Sequence, residues 1–332
     1  MSGASSANDL RSTRLRAATW RRLFSDHPLI PLIALLIVLV VAIELVQPGI
    51  VGPSWAGVIL RAAMPLAILA GCQTLTMLTG GIDLSVGAVA SMSGFVVATL
   101  INGMGTPAGI VVALLAAALA GLLTGIGVGV FRVHPLIMTL GMSLVVLGLA
   151  NVWQLQMVQT GSGVPGELRW LGSGTFLDVV PNSILIFIPV AGLILFGLRR
   201  TGYGRLLYAI GDNPVASRLA GARSWQVLIV LYVISALLAA IAGFLISGLT
   251  NTASVSLADS AVLPSVAAAV IGGTSIMGGR GGYGGTIVGV LILTVLTSLL
   301  SSLGYPEAVR QVLFGAIIVG VAAAYTRVTS ES

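Results

Sequence analysis

Residues 57–87 read GVILRAAMPLAILAGCQTLTMLTGGIDLSVG, and this stretch decides the fold. From Gly57 to Thr79 it is almost wholly apolar, with one charge at Arg61. Gly80-Gly81 then breaks the run, Asp83 places a carboxylate two residues before Ser85, and a second apolar run opens at Val86. A run of roughly 20 apolar residues crosses a bilayer as a helix. A glycine pair and an acid at that depth are tolerated only where protein or water surrounds them, because lipid offers neither backbone nor carboxylate a partner. The stretch predicts a membrane helix that ends in an irregular, enclosed joint.

Working outward, the whole chain of 332 residues has the same character: 57% hydrophobic, 8% charged, mean hydropathy +1.07. A soluble domain carries roughly 25% charged residues. Apolar runs and their glycine, proline and charged breaks place spans at 29–47, 57–79, 86–101, 108–131, 135–157, 183–198, 227–249, 260–272, 286–303 and 307–325. This predicts an all-α integral membrane protein of about ten transmembrane helices, with Gly-rich interrupted or re-entrant segments. The third and eighth runs are short and adjoin glycine, as half-helices do. Residues 29–326 form one transmembrane domain, with tails at 1–28 and 327–332 and an inner loop at 199–225.

All sixteen basic residues are arginine, and the net charge is +6. They sit in the N-terminal tail and loops rather than along one face, which argues against a nucleic-acid partner. The single cysteine, Cys72, lies in an apolar run, so no internal disulfide forms and no Cys/His metal cluster exists. Residues 1–28 carry Arg11, Arg14, Arg16, Arg21 and Arg22 and read as a cytoplasmic tail, not a signal peptide. With that tail inside, alternation also places Arg132, Arg199, Arg200, Arg205, Arg218, Arg223, Arg280 and Arg327 inside, leaving only Arg61, Arg169 and Arg310 outside. The positive-inside bias then puts both termini in the cytoplasm. Trp20 and Trp225 fall at the inner interface, Trp55 and Trp170 at the outer one, and Trp153 at depth, as a packing residue. Gly121, Gly125 and Gly129 recur at four-residue spacing, which suits close helix packing.

Three segments carry functional signals. At the first joint, Gly80, Gly81 and Gly87 free the backbone around Asp83 and Ser85. Two readings of Asp83 stand together: an intramembrane acid that serves function, and a cap on the following helix. In the inner loop, Asn213 suits an N-cap, Pro214 a first helical position and Gly221 the residue past the end, so a helix of about two turns lies on the membrane face. The third segment, Gly272 to Gly285, includes Gly272, Gly273, Gly278, Gly279 and Gly281 and cannot form a stable helix in lipid. With no lysine in the chain, it is no nucleotide-binding P-loop. Gly80-Gly81 and Gly272-Gly273 each close an apolar run, one in each half, which hints at a duplicated half and points to the central site of a transporter.

On these residues the sequence resembles the ribose-type ABC importer permeases. The resemblance rests on Gln73 to Gly87, on Ala209 to Gly221, and on Ile271 to Gly285 with its Gly-Gly-Thr-Ser and Gly-Gly-Arg-Gly wording. It implies a multi-pass protein of the bacterial inner membrane that forms a pathway without catalysis or a cofactor of its own. ATP and magnesium would be bound by a partner ABC ATPase. A periplasmic or surface solute-binding protein would deliver the solute, and a second permease copy, or a paralogous permease, would complete the pathway. The helix near 213–221, with Gly211, Asp212, Asn213, Pro214, Ala216, Arg218 and Gly221, would couple the ATPase to the membrane. Asp212 departs from the glycine usual there, and Ala222 stands where a larger aliphatic is common.

A neutral, polyhydroxylated solute needs a weak pathway of hydroxyl and backbone groups. Asp83, Ser85, Ser91, Thr274 and Ser275 are its candidates, while serine and threonine also tie membrane helices together. Two rivals remain on the sequence. An ion-coupled transporter would rely on Glu44, Asp83, Asp259 or Glu307, and a branched-chain amino-acid or nucleoside permease shares the architecture. A membrane enzyme finds no support in His27 and His134, both at span ends.

Overall fold

The computed structural model describes residues 29–157, 163–176 and 179–330. The tail 1–28, with Trp20 and its five arginines, lies outside the described residues, as do residues 331 and 332.

Among the described residues the regular structure is helical apart from one antiparallel ribbon of two-residue strands. Helix α1 (Leu29–Val46) is apolar on every side and buries only Ile43, as a lipid-facing helix does. Helix α2 (Pro53–Met77) starts on Pro53, whose missing N–H costs nothing in a first turn, and is buried along most of its length. Helix α3 (Val86–Gly129) breaks at Gly105, where φ 77° and ψ 163° leave the helical region, so its two parts answer the third and fourth predicted spans. Helix α4 (Pro135–Met157) follows, with the His134 carbonyl accepting from Ile137 and Met138 at its start. A short helix α5 (Gly166–Gly172) and the antiparallel pair β1 (Thr175–Phe176) and β2 (Val180–Pro181) lead into α6 (Ile184–Arg200).

Helix α7 (Gly202–Asp212) bends 69° away from α6. It corrects the reading of 199–225 as a loop with a single short helix. Its three glycines, Gly202, Gly204 and Gly211, hide an amphipathic pattern that buries Leu207 and Ile210. Helix α8 (Pro214–Leu219) follows, then α9 (Ser224–Thr250), a 3-10 turn at Asp259–Ala261, α10 (Val262–Ile271), α11 (Tyr283–Ser302) and α12 (Glu307–Ser330).

Each of the ten predicted runs is helical over most of its length. Among the described residues six helices are long and apolar enough to cross a membrane: Leu29–Val46, Pro53–Met77, Gly103–Gly129, Pro135–Gln156, Ser224–Thr250 and Tyr283–Ser302. The bent pair α6 and α7 makes a seventh if it is one span, whereas Val86–Ile101 and Asp259–Ile271 are shorter.

Helix α9 forms the centre, packed on α2 and α3. The second part of α3 lies close to it through three glycines. A Cβ at Gly121 would stand 2.5 Å from the Tyr232 carbonyl oxygen, one at Gly125 2.6 Å from Ile229 Cα, and one at Gly129 2.8 Å from the Trp225 carbonyl oxygen. Four-residue spacing thus serves backbone contact with one partner.

Candidate functional site

The first joint, between α2 and α3, is irregular backbone whose polar groups are satisfied by side chains from three helices. The Gln73 amide acts as a substitute peptide: its Nε2 donates to the Asp83 carbonyl at 2.8 Å and its Oε1 accepts from the Asp83 N–H at 3.2 Å. From α4, Thr139 accepts from the Leu84 N–H at 3.1 Å and donates to the Ile82 carbonyl at 3.2 Å. The Asp83 carboxylate accepts from the Ser85 hydroxyl at 2.6 Å and N–H at 3.0 Å on one oxygen, and from Ser235 of α9 at 2.7 Å on the other. Asp83 is buried, and no arginine pairs with it among the described residues. Hydroxyl and N–H donors take the place of water around the charge.

The second joint, between α10 and α11, opens in the same way. Gly80 and Gly273 both take positive φ, 80° and 87°. Gly80 N–H donates to Met77 and Gly81 N–H to Thr76, as Gly273 N–H does to Val270 and Thr274 N–H to Ala269. This 5→2 and 6→1 pattern closes both helices on a left-handed residue. The two joints therefore match with Gly80 opposite Gly273, one residue along from the pairing of Gly80-Gly81 with Gly272-Gly273.

The three sequence motifs meet at one place. The Gly279 N–H donates to the Leu78 carbonyl at 3.0 Å. A Cβ at Gly211 would overlap that same carbonyl oxygen and stand 2.6 Å from the Gly279 nitrogen. A Cβ at Gly278 would lie 3.0 Å from the Gly80 nitrogen, and one at Gly279 3.0 Å from Asp212 Cα. Tyr208 of α7 donates to the Gly281 carbonyl at 3.0 Å. The end of α2, the end of α7 and the glycine segment thus touch through backbone, with no side chain between them.

Beyond this contact, Asn213 caps α8, its side-chain oxygen accepting from Val215 and Ala216 at 3.0 and 2.9 Å. Gly221, at φ 88°, follows the helix. Arg218, Val215 and Leu219 are exposed, with Leu219 at 85%. A helix with open apolar and basic groups is available to a partner.

The remaining candidates are spread out. Ser91 accepts from the Ala258 N–H at 2.8 Å, Ser275 from the Met277 N–H at 3.1 Å, and the Thr274 hydroxyl is buried without a partner. A cavity of about 310 Å³ lies elsewhere, at the far end of α9, between α2, α9, α10, α11 and α12. Thr250, Ser260, Thr294, Thr297 and Glu307 give it polar groups, and Pro65 and Phe314 lie among its apolar walls. Thr294 and Thr297 donate to Val290 and Leu293 of their own helix, which leaves their oxygens free to accept. The signal in the sequence was their i, i+3 spacing on one face of an apolar run.

The family described as branched-chain amino acid transport system / permease component matches residues 56–322. The chain is 32% identical over 285 residues to the ribose import permease protein of Bacillus subtilis, covering 85% of this chain and 88% of that one. It is 35% identical over 267 residues to the galactofuranose transporter permease protein of Escherichia coli, covering 79% and 77%. It is also 32% identical over 330 residues to a probable ABC transporter permease protein of Escherichia coli, covering 98% of each. No solved structure matches the chain.

Proposed function

This chain belongs to the branched-chain amino acid transport system / permease component family, and on that premise we propose that it carries a monosaccharide or a similar small polyhydroxylated solute across the bacterial inner membrane. It is a multi-pass membrane protein and the permease component of a carbohydrate-uptake ABC transporter, a transport subunit rather than an enzyme. In the proposed arrangement ten segments cross, both termini face the cytoplasm, and α8 lies on the inner face, where the arginines concentrate.

The observation that carries the mechanism is the backbone contact of Leu78, Gly211 and Gly279. An ATPase pushing on α8 would move α7, and α7 touches both glycine joints directly. Contacts of this kind transmit displacement without compressible side chains between. ATP and magnesium stay in the ATPase, a solute-binding protein supplies affinity, and a second copy or paralogue of the permease completes the pathway.

For the solute, the hydroxyls of Thr250, Ser260, Thr294 and Thr297 on the otherwise apolar wall of the cavity at the far end of α9 support a sugar. A zwitterionic amino acid would need a free cation and a free anion, whereas Glu307 is already paired with Arg310. Asp83, Ser85, Ser91, Thr274 and Ser275 belong in this reading to the moving joints around the pathway. The test is competition: labelled pentose or hexose uptake displaced by unlabelled sugars and not by leucine or a nucleoside. Thr294→Val with Thr297→Val should raise the solute concentration for half-maximal uptake. Displacement by leucine alone would reassign the solute.

A further inference from the structure

A cavity of about 930 Å³ lies at the end of the molecule that carries α8, and the solute pathway makes no use of it. Its walls are the α3–α4 turn and the start of α9: Arg132, His134, Arg218, Arg223, Ser224 and Trp225, over an apolar floor that includes Val128, Val130 and Leu228. No carboxylate lines it. Asp212, the nearest acid along the chain to α8, is not among the lining residues and packs its Cα and Cβ near Gly279. Among the described residues the one ion pair is Arg310 with Glu307, so all three cavity arginines have uncommitted guanidinium groups.

Three further features point the same way. Helix α9, 27 residues long, begins here with no side-chain cap on its N-terminus, so the positive end of its dipole faces the cavity. The Ser224 hydroxyl is buried and has no hydrogen-bond partner. Arg132 holds φ 56°, a left-handed conformation that costs an arginine energy and suits glycine or asparagine better, so its charge is kept at the expense of the turn.

We infer that this cavity binds the phosphate headgroup of an anionic membrane phospholipid. Guanidinium groups and a helix N-terminus are the usual donors for a phosphate diester. The cavity opens at the ends of α3, α4 and α9, where the hydrocarbon gives way to headgroups, and exposed Trp225 sits at its rim as an interfacial residue does. The apolar floor selects a lipid over free phosphate, since Val128, Val130 and Leu228 would meet the glycerol and upper acyl carbons. Bound there, the lipid would tie the α3–α4 turn to Pro214 and Arg218 of α8.

The test is native mass spectrometry of the full chain purified in mild detergent, then exchanged with phosphatidylglycerol or phosphatidylcholine. The wild type should retain phosphatidylglycerol and not phosphatidylcholine. Arg132→Gln with Arg223→Gln should weaken retention by about tenfold or more, while Arg205→Gln, on the same face outside the cavity, should leave it unchanged. Millimolar inorganic phosphate should not displace the lipid. Equal retention in the double variant, equal loss in Arg205→Gln, retention of phosphatidylcholine, or displacement by phosphate would each overturn the assignment, the last in favour of a free anion site. A complex with the ATPase that removes the lipid from wild-type chain would also overturn it, assigning the cavity to the protein partner. Equal melting temperatures of wild type and double variant show that lost retention is not lost folding.

Discussion

Gly211 at the end of α7 is pressed against Leu78 at the end of α2, so closely that a Cβ on Gly211 would overlap the Leu78 carbonyl oxygen. That carbonyl already accepts from Gly279. Gly211→Ala must therefore move α7 or the glycine segment, and forced overpacking of this kind costs about 1–3 kcal/mol. The melting temperature in detergent should fall and uptake should drop several-fold. Gly141→Ala, where a Cβ meets nothing within 4 Å, should change neither.

Asp83→Asn replaces one acceptor oxygen by a donor and leaves either the Ser85 or the Ser235 hydroxyl to reorient. The loss of one charge-assisted bond is worth about 1.5–3 kcal/mol. Transport should fall while assembly with the ATPase stays intact, and wild-type uptake from this variant would reduce Asp83 to a structural tie. Ser235→Ala should act in the same direction, and the double variant should lose less than the sum, because both changes act on the one carboxylate network that holds the 2.7 Å bond.

Arg218→Glu reverses a charge on the exposed face of α8 without touching its Asn213 cap. Recovery of the ATPase with the tagged permease should decrease, with the difference from wild type largest at low salt and shrinking as salt is raised. Undiminished recovery would remove α8 as the docking element.

Gly125→Leu would drive a side chain into Ile229 Cα, 2.6 Å from the Cβ position. Separation of α3 from α9 should lower the melting temperature by several degrees, since a loss of 1 kcal/mol shifts a chain of this size by about 2–4 °C or less. An unshifted melting curve would show that the close approach does not stabilise the fold.

Much of this was legible in the sequence, because lipid imposes simple rules. The apolar runs predicted every long helix, and Gly121, Gly125 and Gly129 signalled a close helix contact by spacing alone, while only the fold names α9 as the partner. Asn213, Pro214 and Gly221 marked α8 through its cap chemistry. Helix α7 was missed because Gly202 and Gly204 interrupt its start and its apolar positions are too few to stand out in a polar stretch. Gln73, Thr139 and Ser235 were missed for another reason: each looks like an ordinary polar residue within a span, and only the fold brings all three to Asp83. The same holds for the convergence of Leu78, Gly211 and Gly279, which are far apart in sequence.

The central claim is that motion of α8, driven by ATP in a partner, moves solute through this chain. It is tested most directly by uptake of labelled monosaccharide into proteoliposomes holding the permease, its ATPase and the solute-binding protein. Uptake should require ATP and fall several-fold with Gly211→Ala while ATPase binding persists. Uptake that proceeds without ATP, driven by an ion gradient in the permease alone, would contradict the account.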